Sequence, residues 1–238
     1  MSKYPLANAP TIEPTLTALL SPVCTIRGYG GRFTLLMHDL WGADSKQGES
    51  FSWPGDNGDW TEHDAFLDTV FGDLKANDAL KGLDIDIWNE PDITAFWNTA
   101  QEYLATWNHT WHRIREELPE TVITGSSAAS TPERSGQWWV DFMAYVSETN
   151  TIPDQWAWHL IDSATNARQS TAEPDFFADQ YSFPTRPINM NEYGKAEGEQ
   201  NPVGAVYFTE QLERANTAGL RANWASDKEF QDSCRTSS

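Results

Sequence analysis

Six apolar runs of strand type, each separated from the next by a stretch of helical period, constrain this chain more than any other feature. The runs are "RFTLLMHD" (Arg32–Asp39), Gly82–Glu90, "TVITGSS" (Thr121–Ser127), "QWAWHLI" (Gln155–Ile161), "PINMNEYG" (Pro187–Gly194) and "LRANW" (Leu220–Trp224). Between them, helical spacing covers Thr61–Ala76, Phe96–Leu118, Trp138–Val146, Pro174–Tyr181 and Val203–Ala218. Thr61 is expected to cap the first helix, and Gly219 to close the last. Regular strand–helix alternation predicts parallel βαβ units.

An open doubly wound sheet and a (β/α)8 barrel both satisfy that alternation. No Gly-rich phosphate loop follows any of the runs, which argues against a nucleotide-binding open sheet. The runs end instead on His38-Asp39, Asn89-Glu90, His159, Asn191-Glu192 and Asn223-Trp224. Polar residues gathered at the carboxyl ends of many strands are what a barrel active site requires, so the expected fold is an α/β, (β/α)8 TIM barrel.

The segment "IDIWNEP" (Ile85–Pro91) shows how such a strand delivers chemistry. Leu83, Ile85 and Ile87 alternate with Asp84, Asp86 and Trp88, the period-2 pattern of a strand with two different faces. Glu90 shares the parity of the polar row, and Pro91 cannot extend a ladder. Glu90 and Glu192 end runs three steps apart, so a closed barrel would bring them face to face across its mouth. Two facing carboxylates can hydrolyse a glycosidic bond, one protonating the leaving oxygen while the other attacks or activates water. The acid needs a raised pKa, which partial burial beside Trp88 would supply. Asn89 would donate a hydrogen bond to a neighbouring sugar hydroxyl.

Composition narrows the partners. The net charge is −19, from 35 acidic and 16 basic residues, which argues against phosphate backbones and anionic membranes and so against nucleic-acid or lipid partners. Twelve tryptophans suit stacking on sugar rings as well as core packing. No apolar run reaches membrane-span length, and "MSKYPLANAPTIEP" has no signal-peptide core, which leaves the compartment open. Cys24 and Cys234 suggest neither a disulfide framework nor a metal site. His109 and His112 share a helix face but have no third ligand near in sequence. No metal or cofactor is expected.

"WNEP" (Trp88–Pro91), "NEYG" (Asn191–Gly194) and "GLRANW" (Gly219–Trp224) together resemble a clan-A retaining glycoside hydrolase. More narrowly, with "GGRFTLLMHDLWGAD" (Gly30–Asp44), "WPGDNGDW" (Trp53–Trp60) and "PDQWAWHL" (Pro153–Leu160), the chain resembles the fungal branch of the family of β-xylosidases and α-L-iduronidases. The resemblance implies that Glu90 is the acid/base at the end of the fourth barrel strand and Asn89 the adjoining amide. It implies that Glu192 is the nucleophile at the end of the seventh strand, with His159, on the sixth, orienting it. Trp224 matches the aromatic floor of the glycone subsite, His38 and Asp39 are hydroxyl ligands, and Trp41 borders an outer subsite.

The chain also departs from the family. If Arg32–Asp39 is the third strand, the first two are missing, because residues 1–28 read as irregular or helical. The partial barrel would then span 29–224, and 225–238 would be a polar tail. Exposed edges at the first and last runs invite pairing with a second copy. Three readings therefore stand at the level of sequence: a glycosidase acting on O-glycosyl bonds, a carbohydrate-binding remnant without turnover, and a subunit that completes its barrel with a partner chain.

Overall fold

The computed structural model describes residues 23, 25–37, 53–93, 100–161, 166–194 and 202–221. Among them the six expected strands form: β1 (Phe33–Leu36), β2 (Leu83–Asp86), β3 (Val122–Ala128), β4 (Gln155–Ile161), β5 (Ile188–Gly194) and β6 (Ala218–Arg221). They lie in chain order in one sheet, and every neighbouring pair is parallel. Helices α1 (Thr61–Ala76), α2 (Ala100–Glu117), α3 (Gln137–Glu148), α4 (Ala167–Ser170), α5 (Ala172–Tyr181) and α6 (Pro202–Ala215) run in the connections.

The sheet curls strongly. Asp86 on β2 accepts a hydrogen bond from Asn191 on β5 at 2.8 Å, although β3 and β4 lie between them. In a flat sheet with strands about 4.8 Å apart, β2 and β5 would stand roughly 14 Å apart, beyond the reach of two short side chains. Six parallel strands with helices in the connections between them, curled around a polar concave face, make an arc of a TIM barrel. Among the described residues, β1 and β6 are each paired along one side only. Of residues 1–28, on which the expectation of missing first strands rests, 23 and 25–28 are described and are helical; the others lie outside the described residues.

The core explains most of the tryptophans. Trp107, Trp139 and Trp158 are fully buried, with Trp107 edge-on to Phe142 at 5.2 Å and Trp139 edge-on to Trp158 at 6.3 Å. They belong to the same core cluster as Leu67, Val70, Leu83 and Ile85. These rings are packing elements. Asp84 and Asp86, of the opposite parity on β2, are buried as well, so the less apolar face of β2 is dry. Arg32, beside β1, forks onto the Asp84 carboxylate.

Several boundaries and caps differ from the sequence reading: β6 starts at Ala218 rather than Leu220, and Ala167–Ser170 adds a short helix before the expected one. The β2 ladder stops at Asp86, short of Glu90, which takes a left-handed backbone (φ 47°) and donates its N–H to Ser127 on β3. Helix α6 ends at Ala215, and Asn216 (φ 50°) takes the left-handed position expected of Gly219. Gly219 lies within β6, where a Cβ would sit 2.7 Å from the Leu212 side chain; it permits close packing rather than capping a helix. Thr61 is the first residue of α1, and the oxygen that meets its N–H belongs to Asp59, at 3.0 Å.

Candidate active site

Glu90 is held by its backbone. Its N–H donates to Ser127 O at 2.9 Å, and its carbonyl accepts from Ile93 N–H at 3.0 Å. Two residues on, the Asp92 carboxylate accepts the N–H groups of Ala129 and Ser130 at 2.8 and 2.9 Å. The end of β2 is thereby stitched to the end of β3. A left-handed backbone on a residue other than glycine costs roughly 1–2 kcal/mol, and such conformations cluster at functional sites.

Glu192 is aimed by a bulge. Between Asn189 and Glu192 on β5 the pairing with β4 advances only from Ala157 to His159, so β5 carries one extra residue. The pairing with β6 slips in the same stretch. A bulge breaks the strict alternation of faces and re-aims a side chain. The matching irregularity on β3 falls at Ser127, which is unpaired between Ser126 and Ala128 and has φ 59°.

The structure brings Glu90, Glu192 and His159 together. His159 Nδ1 lies 2.9 Å from Glu90 Oε1 and 3.6 Å from Glu192 Oε2. One ligand-type atom from each of the three groups falls within 4.8 Å of the other two. The His159 side chain is 1% exposed, whereas Glu90 and Glu192 retain 17% and 22%. Two carboxylates thus open to solvent over a dry imidazole. By resemblance His159 orients Glu192, yet its hydrogen bond goes to Glu90; Glu192 is its register partner but lies beyond hydrogen-bond distance. The donor set could also hold a divalent ion.

Burial raises the Glu192 carboxyl above its ordinary range; the facing His159 pulls it down and the charge of Glu90 pushes it up. A second carboxyl lies deeper. Burial pushes Asp86 up to about 7, against opposing hydrogen bonds from Ser127, Asn191 and the Trp88 N–H and the field of His159. Sequence reading placed Asp86 in a polar row and gave it no role. The one sequence signal was an acid at lumen parity ahead of "WNEP".

The other predicted site residues fare differently. Asn89 sits half-buried beside Glu90, on the same turn. His38, Asp39, Trp41 and Trp224 lie outside the described residues. Trp88, expected to shield Glu90, is buried with its ring edge-on to Trp53 at 6.3 Å. His109 and His112 are on α2; His109 bonds Asp64 at 2.7 Å and stacks on Trp60, while His112 lies edge-on to Trp111.

No protein-family model and no curated protein matches the chain. Solved structures do. The chain is similar to N2152 from Neocallimastix frontalis, with TM-score 0.70 and 22% identity over 86% of this chain and 49% of that one. It is similar to a glucosidase from Croceicoccus marinus, with TM-score 0.59 and 14% identity over 74% of this chain and 40% of that one. It is similar to a GH39 β-xylosidase from Caulobacter crescentus, with TM-score 0.57 and 16% identity over 84% of this chain and 57% of that one. The chain spans about half the length of these proteins. At such identities the likeness is one of fold.

Proposed function

We propose that this chain carries the catalytic pair of a retaining glycoside hydrolase, with Glu90 as acid/base and Glu192 as nucleophile. The observation that carries the reading is the convergence of two carboxylates, from the ends of β2 and β5, on one buried imidazole within 4.8 Å. Retaining pairs stand about 5–5.5 Å apart and inverting pairs about 6.5–9.5 Å; retention is here taken from the motif resemblance. The fold shared with a glucosidase and a β-xylosidase supports the reaction class, O-glycosyl hydrolysis.

In this reading Glu90 protonates the glycosidic oxygen while a Glu192 carboxylate oxygen attacks the anomeric carbon. The bond to the leaving group breaks and a glycosyl ester forms on Glu192. Glu90, now ionised, takes a proton from water as that water attacks the same carbon, and Glu192 leaves as carboxylate. Asn89 would hold a hydroxyl beside the reacting carbon. The substrate is a carbohydrate; the narrower placement with the fungal branch of the β-xylosidase and α-L-iduronidase family rests on the motif resemblance.

Hydrolysis of a panel of aryl β-glycosides, with Glu192→Ala as control, tests the reaction. Turnover that disappears in the variant is the expected outcome. A folded, soluble protein without turnover would leave a carbohydrate-binding remnant. Trapping with a 2-deoxy-2-fluoro glycoside then tests the roles. The raised Glu192 carboxyl favours a second reading, with the roles exchanged, and an adduct on Glu90 rather than Glu192 would establish it.

A further inference from the structure

Beneath the two glutamates lies a buried polar strut that the steps above do not use. Asp86 Oδ2 accepts from Ser127 Oγ at 2.5 Å and from Asn191 Nδ2 at 2.8 Å. Asn191 Nδ2 also lies 2.9 Å from Ser127 Oγ. Asp86 and Ser127 are buried. Each end of the strut is one step from the proposed machinery. The Ser127 carbonyl takes the Glu90 N–H, and Asn191 directly precedes Glu192 in the bulge of β5. The strut therefore ties the backbone under one carboxylate to the backbone under the other, straight across the concave face.

We propose that Asp86 is a positioning residue for this site, fixing through Ser127 and Asn191 the separation of Glu90 and Glu192. The proposal rests on the reading of the cleft as a glycosidase site. An arc whose edge strands are each paired on one side lacks the ladder that closes a full barrel among the described residues. A cross-lumen side-chain bond supplies a restraint on its curvature that the ladder does not. The charge state of Asp86 also reaches the site. Its titratable neighbours are His159 from β4 and Tyr103 from α2, with Glu90 and Glu192 beyond His159. His159 lies in the field of Asp86, and its ring faces both glutamates.

Kinetics of the wild type, Asp86→Ala and Asp86→Asn on an aryl glycoside, across pH, test this. Removing the strut in Asp86→Ala is expected to lower kcat about 100-fold with KM nearly unchanged, as for a loss of reacting geometry. Asp86→Asn keeps an acceptor for both donors, so it should retain most of kcat in acid and lose the inflection near neutrality. A role confined to stability would lower the active fraction and leave the pH profile in place; that result, or wild-type kinetics in both variants, overturns the proposal. If Asp86→Ala does not fold, Asp86→Asn decides on its pH profile.

Absence of turnover by the wild type at every pH would sink the glycosidase reading separately. The strut is then read from crystal structures of the wild type and Asp86→Ala. A changed separation of the Glu90 and Glu192 carboxylates supports it, and an unchanged separation overturns it.

Discussion

His159 is where the chemistry of the cleft is most concentrated in one residue. A dry imidazole faces two partly wetted carboxylates, bonding one and acting on the other through its field. Its field lowers the proton affinity of Glu192, against burial and the charge of Glu90, which raise it. His159→Gln removes that pull, so the Glu192 carboxyl should titrate at higher pH. In the proposed roles Glu192 must be ionised to attack, so the acidic limb of the kcat/KM profile should move toward alkaline pH in the variant. A limb that stays in place, or moves toward acid, would mean that Glu192 ionisation does not govern that limb. Glu90, Glu192 and His159 were legible in the sequence because each ends an apolar run with a polar side chain. The direction of the His159 hydrogen bond was not, since register alone pairs it with Glu192 and the Glu90 turn brings a nearer oxygen.

At the scale of elements, the strand and helix order was legible because period 2 and period 3.6 are local. What period 2 hides is the bulge. An extra residue at Ser127, and another between Asn189 and Glu192, shift parity within a strand, so the meeting of Ser127, Asp86 and Asn191 has no signature in alternation. Nor does alternation separate a solvated polar face from the dry inner face of a barrel, which is why Asp86 escaped notice. Close packing of β3 against α2 is equally silent in sequence. A Cβ on Gly125 would lie 2.4 Å from the Trp107 ring, so Gly125→Ala should destabilise the protein by about 1–3 kcal/mol, read as a lower urea midpoint with an unchanged slope. The α1–α2 contact is acid-labile for a different reason. Buried His63, bonded to Thr110 at 2.8 Å, is pushed down from 6.5 to about 4, by burial first and by His109 and Arg113 next. Between those values the unfolded chain binds the proton and the folded one does not. Stability is therefore full above about pH 6.5 and falls toward pH 4, by on the order of 3 kcal/mol in the limit. His63→Gln should flatten that part of the curve, so the stability gap between wild type and variant narrows from pH 7 to pH 5; a gap constant with pH would assign the acid lability to other groups.

For the whole molecule, a net charge of −19 bears on which sugars can reach the cleft. The acid pair sits at its mouth, and among the described residues no lysine or arginine is ion-paired to either glutamate. A uronic acid would bring a third carboxylate to within several Å of two others. At an effective dielectric of 20–80, one such like-charge contact at about 6 Å costs roughly 1–3 kcal/mol, or about fivefold to a hundredfold in binding. The field of the remaining acids adds to this over about 8–10 Å at physiological salt. Neutral aryl pentosides and hexosides should therefore surpass aryl uronides in kcat/KM, and the gap should narrow as salt is raised from low to molar ionic strength. A neutral pair of substrates compared over the same range controls for salt effects on folding. Within the proposed function, the charge argument favours a neutral glycone over a uronide. Preference for the uronide would mean that a cation faces the bound sugar, and the salt dependence would then change sign, with uronide turnover weakening as that attraction is screened.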